Sequence, residues 1–147
     1  MADELRLDDQ LCFALHAASR AMTGAYQPLL EQLGVTYPQY LVLMALWEED
    51  GARVSRLGER LYLDSATLTP LLKRLEARGL VARRRSQVDE RVVELFLTPE
   101  GRALEQRALE LFPGLVCKMR LSLGELAQLR DTLRKLTHTL HEAREES

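Results

Sequence analysis

Two cysteines, Cys12 and Cys117, are the only thiols in this chain of 147 residues. Two thiols cannot build a disulfide scaffold, and in a reducing compartment a permanent bridge is not expected, so any pairing between them is an event. A free thiol with a pKa of about 8.5 is only a few per cent ionised at neutral pH, so rapid attack on an electrophile requires that value to be lowered. Cys12 lies near the start of a predicted helix, where the helix dipole favours an anion. The plainer alternative is a small core residue, the commoner fate of a free cysteine.

A second chemistry is written in Asp64-Ser-Ala-Thr-Leu-Thr-Pro-Leu-Leu-Lys-Arg-Leu-Glu-Ala-Arg-Gly79. Hydroxyls open the segment and cations close it. The N-terminal turn of a DNA-reading helix meets base edges, which makes Ser65, Thr67 and Thr69 candidate readers, while Lys73, Arg74 and Arg78 suit phosphates. Ser65 and Thr67 as mere helix caps, with Thr69 only preceding Pro70, is the alternative reading. Arg85, Asp89 and Arg91 follow on a predicted β-ribbon. Asp89 and Arg91, two apart on a strand, project to one side, where a carboxylate can hold a guanidinium outstretched towards a narrow minor groove. An ordinary surface ion pair would use the same two residues.

Charge agrees once it is resolved along the chain. The formal total is −2, yet residues 53–91 hold ten Lys/Arg against five Asp/Glu, a local +5 that leaves −7 elsewhere. A solvated helix face can collect such charge too; its coincidence with the hydroxyl-led helix favours nucleic acid.

The elements that must position these residues follow from periodicity. Leu11, Leu15, Ala18, Met22, Ala25 and Leu29 mark one face of a long first helix beginning near Asp8, weakened at Gly24 and ended by Gly34. Residues 37–47 form an apolar second helix with Pro38 in its first turn, closed by Gly51. Val54, Leu57 and Leu61 mark a third. Asp64 or Ser65 caps the fourth, whose core face is Leu68, Leu71, Leu72 and Leu75 and whose end is Gly79. Strands over 80–86 and 91–97 flank a turn at 87–90. Thr98-Pro99-Glu100 opens a fifth helix with a stripe of Leu104, Ala108, Leu111 and Leu115, disturbed by a kink at Pro113-Gly114. Ser122-Leu-Gly-Glu125 is a capping box before Leu126, Leu129, Leu133, Leu136 and Leu140, and residues 142–147 fray.

The expected fold class is mainly α with a small β-hairpin: a single domain over 1–147, with a winged helix-turn-helix over about 37–98 and dimerisation helices over about 1–34 and 99–145. A narrow leucine seam also packs within one chain, but reading two half-sites about 34 Å apart calls for a two-fold dimer. A chain this long buries roughly 68% of its unfolded surface and needs no metal staple. The acidic opening lacks a secretory signal, and the longest apolar run, Leu41 to Trp47, is far too short for a membrane span, so a cytoplasmic protein without membrane contact is expected.

Ser86-x-x-Asp89-x-Arg91 followed by Leu97-Thr98 resembles the wing signature of the MarR family, and the helix order extends the likeness over essentially the whole chain. Leu11-Cys12-Phe13, Tyr26, Gly34-Val-Thr-Tyr37-Pro-Gln-Tyr40 through Trp47, and residues 63–76 resemble its organic-hydroperoxide-sensing, OhrR-type branch. Ala66 departs from the glycine more usual there and should alter only local backbone freedom.

The resemblance implies a repressor of double-stranded operator DNA, acting as a homodimer. In it, organic hydroperoxides oxidise Cys12, phenols matching Tyr26 and Tyr37 hydrogen-bond its thiolate, and Cys117 closes an intersubunit disulfide. Phenolic donors to a thiolate lower its pKa. Tyr26 lies fourteen residues beyond Cys12, about 21 Å along a continuous helix, so such a pocket would be shared between subunits. Cys12 falls about 100° from the Leu11 stripe, at the flank of the apolar face. Phe13, Met44 and Trp47 are candidate apolar neighbours that would favour hydrocarbon-bearing peroxides.

A thiol peroxidase would use the same cysteines but leaves the basic ribbon without purpose. A MarR-type repressor released by a small aromatic ligand, with Cys12 silent, is a further alternative. His138, His141 and Glu142 share a helix face without the further ligands a metal needs, so neither metal nor cofactor is expected. Phosphate-loop, nucleophile-elbow and metalloprotease motifs are missing from the sequence, and the protein is not expected to be an enzyme.

Overall fold

The computed structural model describes residues 3–146. In the first of two compact units, ending at Leu115, short 3-10 turns at Asp3–Leu5 and Leu7–Asp9 lead into α1 (Leu11–Leu33), α2 (Tyr37–Glu48), β1 (Ala52–Arg53), α3 (Val54–Leu61) and α4 (Ser65–Ala77). Then come β2 (Val81–Arg85), β3 (Val93–Leu97) and α5, which starts at Pro99 and ends at Met119. The second unit, from Val116, holds the end of α5 and α6 (Leu123–Glu146). The mainly helical winged architecture expected from the sequence is the one observed.

The core gathers on α2, which is apolar on every side and correspondingly buried at Tyr40, Val42, Leu43, Ala45 and Leu46. Leu57 of α3, Leu68, Leu71, Leu72 and Leu75 of α4, and Val81 and Leu95 of the sheet complete the buried set. The sheet runs β1-β3-β2, antiparallel throughout, with Ala52 opposite Leu95 and Val81 opposite Leu97. β1 is absent from the sequence reading because two residues carry no alternation.

Local chemistry sets the helix ends. Thr36 and Gln39 form a reciprocal capping box on α2: the Gln39 N–H donates to Thr36 Oγ1 (3.3 Å) and the Thr36 N–H to Gln39 Oε1 (3.0 Å). That Thr-x-x-Gln signal stands in the sequence beside Pro38, and both favour a helix start here. Gly34, at φ 71°, ends α1 in the left-handed region, its N–H donating to Glu31 O while that of Val35 donates to Leu30 O, a Schellman arrangement. α2 already ends at Glu48, three residues before Gly51, which instead takes φ 79° in the turn to β1. Ser122 and Glu125 make the expected box on α6, with both hydrogen bonds present at 3.0 and 3.1 Å.

Of the α1 stripe only Leu29 is buried, beside Leu30 and Leu33; Leu11 is 61% exposed, because nothing in one chain covers the first two thirds of the helix. α5 runs through Pro113 and Gly114 and stays helical to Met119; both residues face solvent, where losing one backbone donor is tolerated. The last residues of α6 remain helical to Glu146, while Ser147 lies outside the described residues.

α5 is pinned at its start. Thr98 caps it, accepting the Gly101 N–H at 3.1 Å while its hydroxyl donates to Gly79 O at 2.6 Å. Trp47 Nε1 donates to Gly101 O at 2.9 Å. Asp50 accepts the Leu97 N–H at 2.8 Å and pairs with Arg102 at 2.6 Å. Gly101 is pressed against the chain so closely that a Cβ there would sit 2.1 Å from Leu80 O. Gly101→Ala must push the helix off this seat, at a cost of about 3 kcal/mol; thermal denaturation should show a midpoint lower by roughly 10 °C.

Candidate nucleic-acid interface and thiol site

The start of α4 is an exposed platform carried on a buried leucine row. Leu68, Leu71, Leu72 and Leu75 face the core, and Ser65, Ala66, Thr67, Thr69, Lys73 and Arg74 therefore face solvent together. Asp64, not Ser65, is the cap: its Oδ1 accepts the Thr67 N–H at 2.8 Å, a bond that lowers the carboxyl pKa. The cap role thus falls on Asp64 and leaves the Ser65 hydroxyl out of it. The turn before α4 contains Tyr62, a non-glycine residue at φ 56°, which reverses the chain between α3 and α4.

Arg78 stands apart from Lys73 and Arg74. Its Nη1 donates to the carbonyl of Gly34 at the end of α1, so this guanidinium engages the protein itself. The ribbon's three consecutive arginines are likewise engaged. Arg83 pairs with Glu76 at 3.4 Å, the Arg84 guanidinium lies 4.8 Å over the Phe96 ring, and Arg85 Nη1 donates to Glu90 O at 3.0 Å.

Asp89 and Arg91 form the expected pair, but in a turn and not on a strand. β3 begins only at Val93, because the Ser86 hydroxyl accepts the N–H groups of Val88 and Asp89 and the Asp89 carboxylate accepts the Arg91 N–H (3.0 Å), folding residues 86–92 into a loop. Two further bonds, Nε to Oδ1 and Nη2 to Oδ2, each 3.1 Å, make the ion pair bidentate. The Arg91 side chain is still 89% exposed. Its hydrogen bonds hold the Asp89 carboxyl below the usual carboxylate range. The lowered pKa keeps the Asp89 carboxylate ionised at neutral pH, and the pair is lost only as pH falls through that lowered value.

The sequence-predicted tyrosines come together. Tyr26 of α1 meets Tyr37 edge-on, with ring centroids 5.2 Å apart. Tyr40 joins them, 6.0 Å from Tyr26, and Trp47 follows 6.1 Å from Tyr40. Tyr40 was missed by sequence reasoning, although its i+3 spacing from Tyr37 places it on the same helix face. Burial first, then the neighbouring Tyr37 and Tyr40, pushes the Tyr26 phenol up to about 12, and burial raises Tyr37 and Tyr40 as well. All three are therefore neutral O–H donors at physiological pH.

Cys12 is not brought to them. It is exposed in the first turn of an uninterrupted α1, fourteen residues before Tyr26 and so about 21 Å from it along the axis. Gln10, in the cap position, makes no side-chain cap; its amide turns back to Glu4 O and Arg6 O at 2.8 and 2.9 Å. Cys117 is also exposed and free, two residues before the end of α5. Of the expected apolar neighbours, Met44 and Trp47 line an open groove of about 420 Å³ with Tyr40, Ala108, Leu109 and Phe112, rimmed by Glu48 and Glu105. Phe13 lies elsewhere, on α1 beside Cys12.

Among the described residues no group of His, Cys, Asp and Glu could hold a metal ion; His138 instead meets Glu142 at 3.0 Å on the surface of α6. No helix there is long and apolar enough to cross a membrane.

Comparison with known proteins agrees with this layout. Residues 25–107 match the family model described as transcriptional regulator SarA/Rot. The chain is 49% identical over 141 residues, 95% of each protein, to the organic hydroperoxide resistance transcriptional regulator of Bacillus subtilis. Reduced AbfR bound to DNA superposes with a TM-score of 0.79 at 37% identity, covering 95% of this chain and 96% of that one. AbfR of Staphylococcus epidermidis is also known with its disulfide formed, at a TM-score of 0.64 and 36% identity over 97% and 95%. PcaV of Streptomyces coelicolor, in complex with its natural ligand, gives a TM-score of 0.82 at 28% identity over 94% and 98%. With that match in sequence and in fold, the chain belongs to the MarR family of winged helix-turn-helix regulators and is a DNA-binding transcription regulator, not an enzyme.

Proposed function

We propose that this regulator is a homodimeric, cytoplasmic repressor whose hold on operator DNA is released by organic hydroperoxides. The observation that carries the reading is the separation of parts: Cys12 is exposed on an uncapped helix start, while the phenols suited to stabilise its thiolate are clustered about 21 Å further along the same helix. A second copy, its α1 antiparallel to the first, supplies phenols to each thiol. Leu11, Phe13 and Met22 on α1, and Leu129 and Leu140 on α6, are exposed apolar residues suited to such an interface. The B. subtilis relative is named for organic hydroperoxide resistance, and AbfR forms a disulfide.

The chemistry balances without a cofactor. The Cys12 thiolate attacks the distal oxygen of ROOH and, with a proton taken up, leaves sulfenic acid and the alcohol ROH. The thiol of Cys117 from the other copy then displaces water, forming the disulfide. Each peroxide consumed oxidises two thiols. The apolar groove beside Tyr40 and Trp47, with Glu48 and Glu105 at its rim, favours neutral, hydrocarbon-bearing peroxides over carboxylates. On DNA, Ser65, Thr67 and Thr69 read base edges, Lys73 and Arg74 take phosphates, and Arg91 enters the minor groove with Asp89 holding it. Arg85 supports the ribbon.

The same groove favours a second reading, release by a small aromatic ligand with Cys12 silent, because PcaV is known with its natural ligand. Binding that survives peroxide but fails with such a ligand would decide for it.

A gel shift with the DNA upstream of the protein's own gene, run with cumene hydroperoxide and then with dithiothreitol, tests the proposal. Peroxide should weaken binding by at least about tenfold and the reductant should restore it. Cys12→Ser should bind equally well and ignore peroxide, and on a non-reducing gel only protein carrying both cysteines should run at twice the monomer mass; a monomer band after oxidation would refute the intersubunit bridge. Arg91→Ala should weaken operator binding by about tenfold to a hundredfold with an unchanged melting temperature, since the side chain touches little of its own chain.

A further inference from the structure

The three residues that follow the recognition helix, Arg78, Gly79 and Leu80, form a junction held from two sides. From α1, the Gly34 carbonyl accepts the Arg78 guanidinium. From α5, the Thr98 hydroxyl donates to Gly79 O at 2.6 Å, the Thr98 N–H donates to Leu80 O at 3.1 Å, and Gly101 lies where a Cβ would meet Leu80 O at 2.1 Å. These are the two helices that carry the cysteines: Cys12 lies in the first turn of α1 and Cys117 in the last turn of α5.

We propose that Arg78 is a positioning residue that ties α4 to α1, and not one of the phosphate contacts its place on a basic helix suggests. This rests on the DNA-reading role of α4 given above. A guanidinium set at the carbonyl end of α1 is attracted by the negative end of a 23-residue helix dipole and makes a charge-assisted hydrogen bond there. Gly34 is fitted to receive it: at φ 71° it ends α1, and a Cβ there would lie 3.0 Å from Arg78 Nη2, close enough to crowd the guanidinium. Lys73 and Arg74, one turn earlier on α4, make no such bond to α1 and stay available to DNA. A shift of α1 therefore reaches the carboxyl end of α4 through the Arg78 side chain, and a shift of α5 reaches the next two residues through the hydroxyl and N–H of Thr98 and the close approach of Gly101.

Salt dependence separates the two roles. Removing a phosphate contact lowers the slope of log affinity against log salt by about 0.9, whereas removing a positioning contact weakens binding at every salt concentration and leaves the slope alone. Operator affinity of reduced Arg78→Ala, followed by fluorescence anisotropy over a salt series, should fall by about 3- to 30-fold with the wild-type slope. Lys73→Ala should lower the slope. Gly34→Ala, which removes no charge but crowds the same contact, should behave as Arg78→Ala does, and circular dichroism establishes that each variant is folded. The ratio of reduced to peroxide-treated affinity should also shrink in Arg78→Ala. A slope lower by about 0.9 for Arg78→Ala, or wild-type affinity in folded Arg78→Ala and Gly34→Ala, overturns the proposal. Should peroxide leave even the wild-type protein unaffected, the redox reading fails while the slope still decides the role of Arg78.

Discussion

One stiff helix sets the terms for the sensing half of the molecule. α1 runs 23 residues without interruption, so Cys12 and Tyr26 cannot meet within a chain, however well each is suited to the other. Pro28 inside it removes one backbone donor without ending the helix. Whatever surrounds the thiol must come from outside its own helix axis, and the exposed apolar residues near the start of α1 are consistent with a neighbour there. The phenols, by contrast, need no neighbour to assemble: α1 and α2 set Tyr26 edge-on to Tyr37 and tilted against Tyr40, and burial raises the pKa of all three.

The reading half depends on burial of a different kind. Four leucines on one face of α4 fix which residues are left outside, so the hydroxyls and cations are presented together as a consequence of packing. Asp64 relieves Ser65 of capping duty, which frees a hydroxyl at the point where a groove would be met. At the other end of α4 the chain is held by glycine: Gly79 turns at φ 74°, and Gly34 and Gly101 allow a guanidinium and a carbonyl to approach where a side chain would stand. Small residues thus bring three helices to one place.

Electrostatics is local throughout. The net charge of −2 says little about a protein whose basic residues are concentrated in 53–91, and even there most arginines are engaged. Arg83, Arg84 and Arg85 hold the ribbon through an ion pair, an aromatic face and a carbonyl, so its shape and its charge come from the same side chains. Arg91, in the loop of the ribbon, points outward, and its bidentate carboxylate limits the conformations it must lose on binding.

The sequence by itself determined the helix order, the leucine row of α4, the capping box of α6, the glycine ends at 34 and 79 and the Asp89–Arg91 pairing, because each is a short-range pattern of period, cap or turn. It misjudged what depends on contacts between distant segments. Arg78 read as one more cation on a basic helix, and only the approach of Gly34 showed where its guanidinium goes. Arg91 read as a strand residue until the hydroxyl of Ser86 and the carboxylate of Asp89 drew the loop closed. The stripe on α1 marked an apolar face, and within a single chain most of that face stays exposed. Periodicity records which face of a helix is apolar, whereas the partner for that face is chosen by the tertiary fold, or by a second molecule, through distances no local pattern encodes.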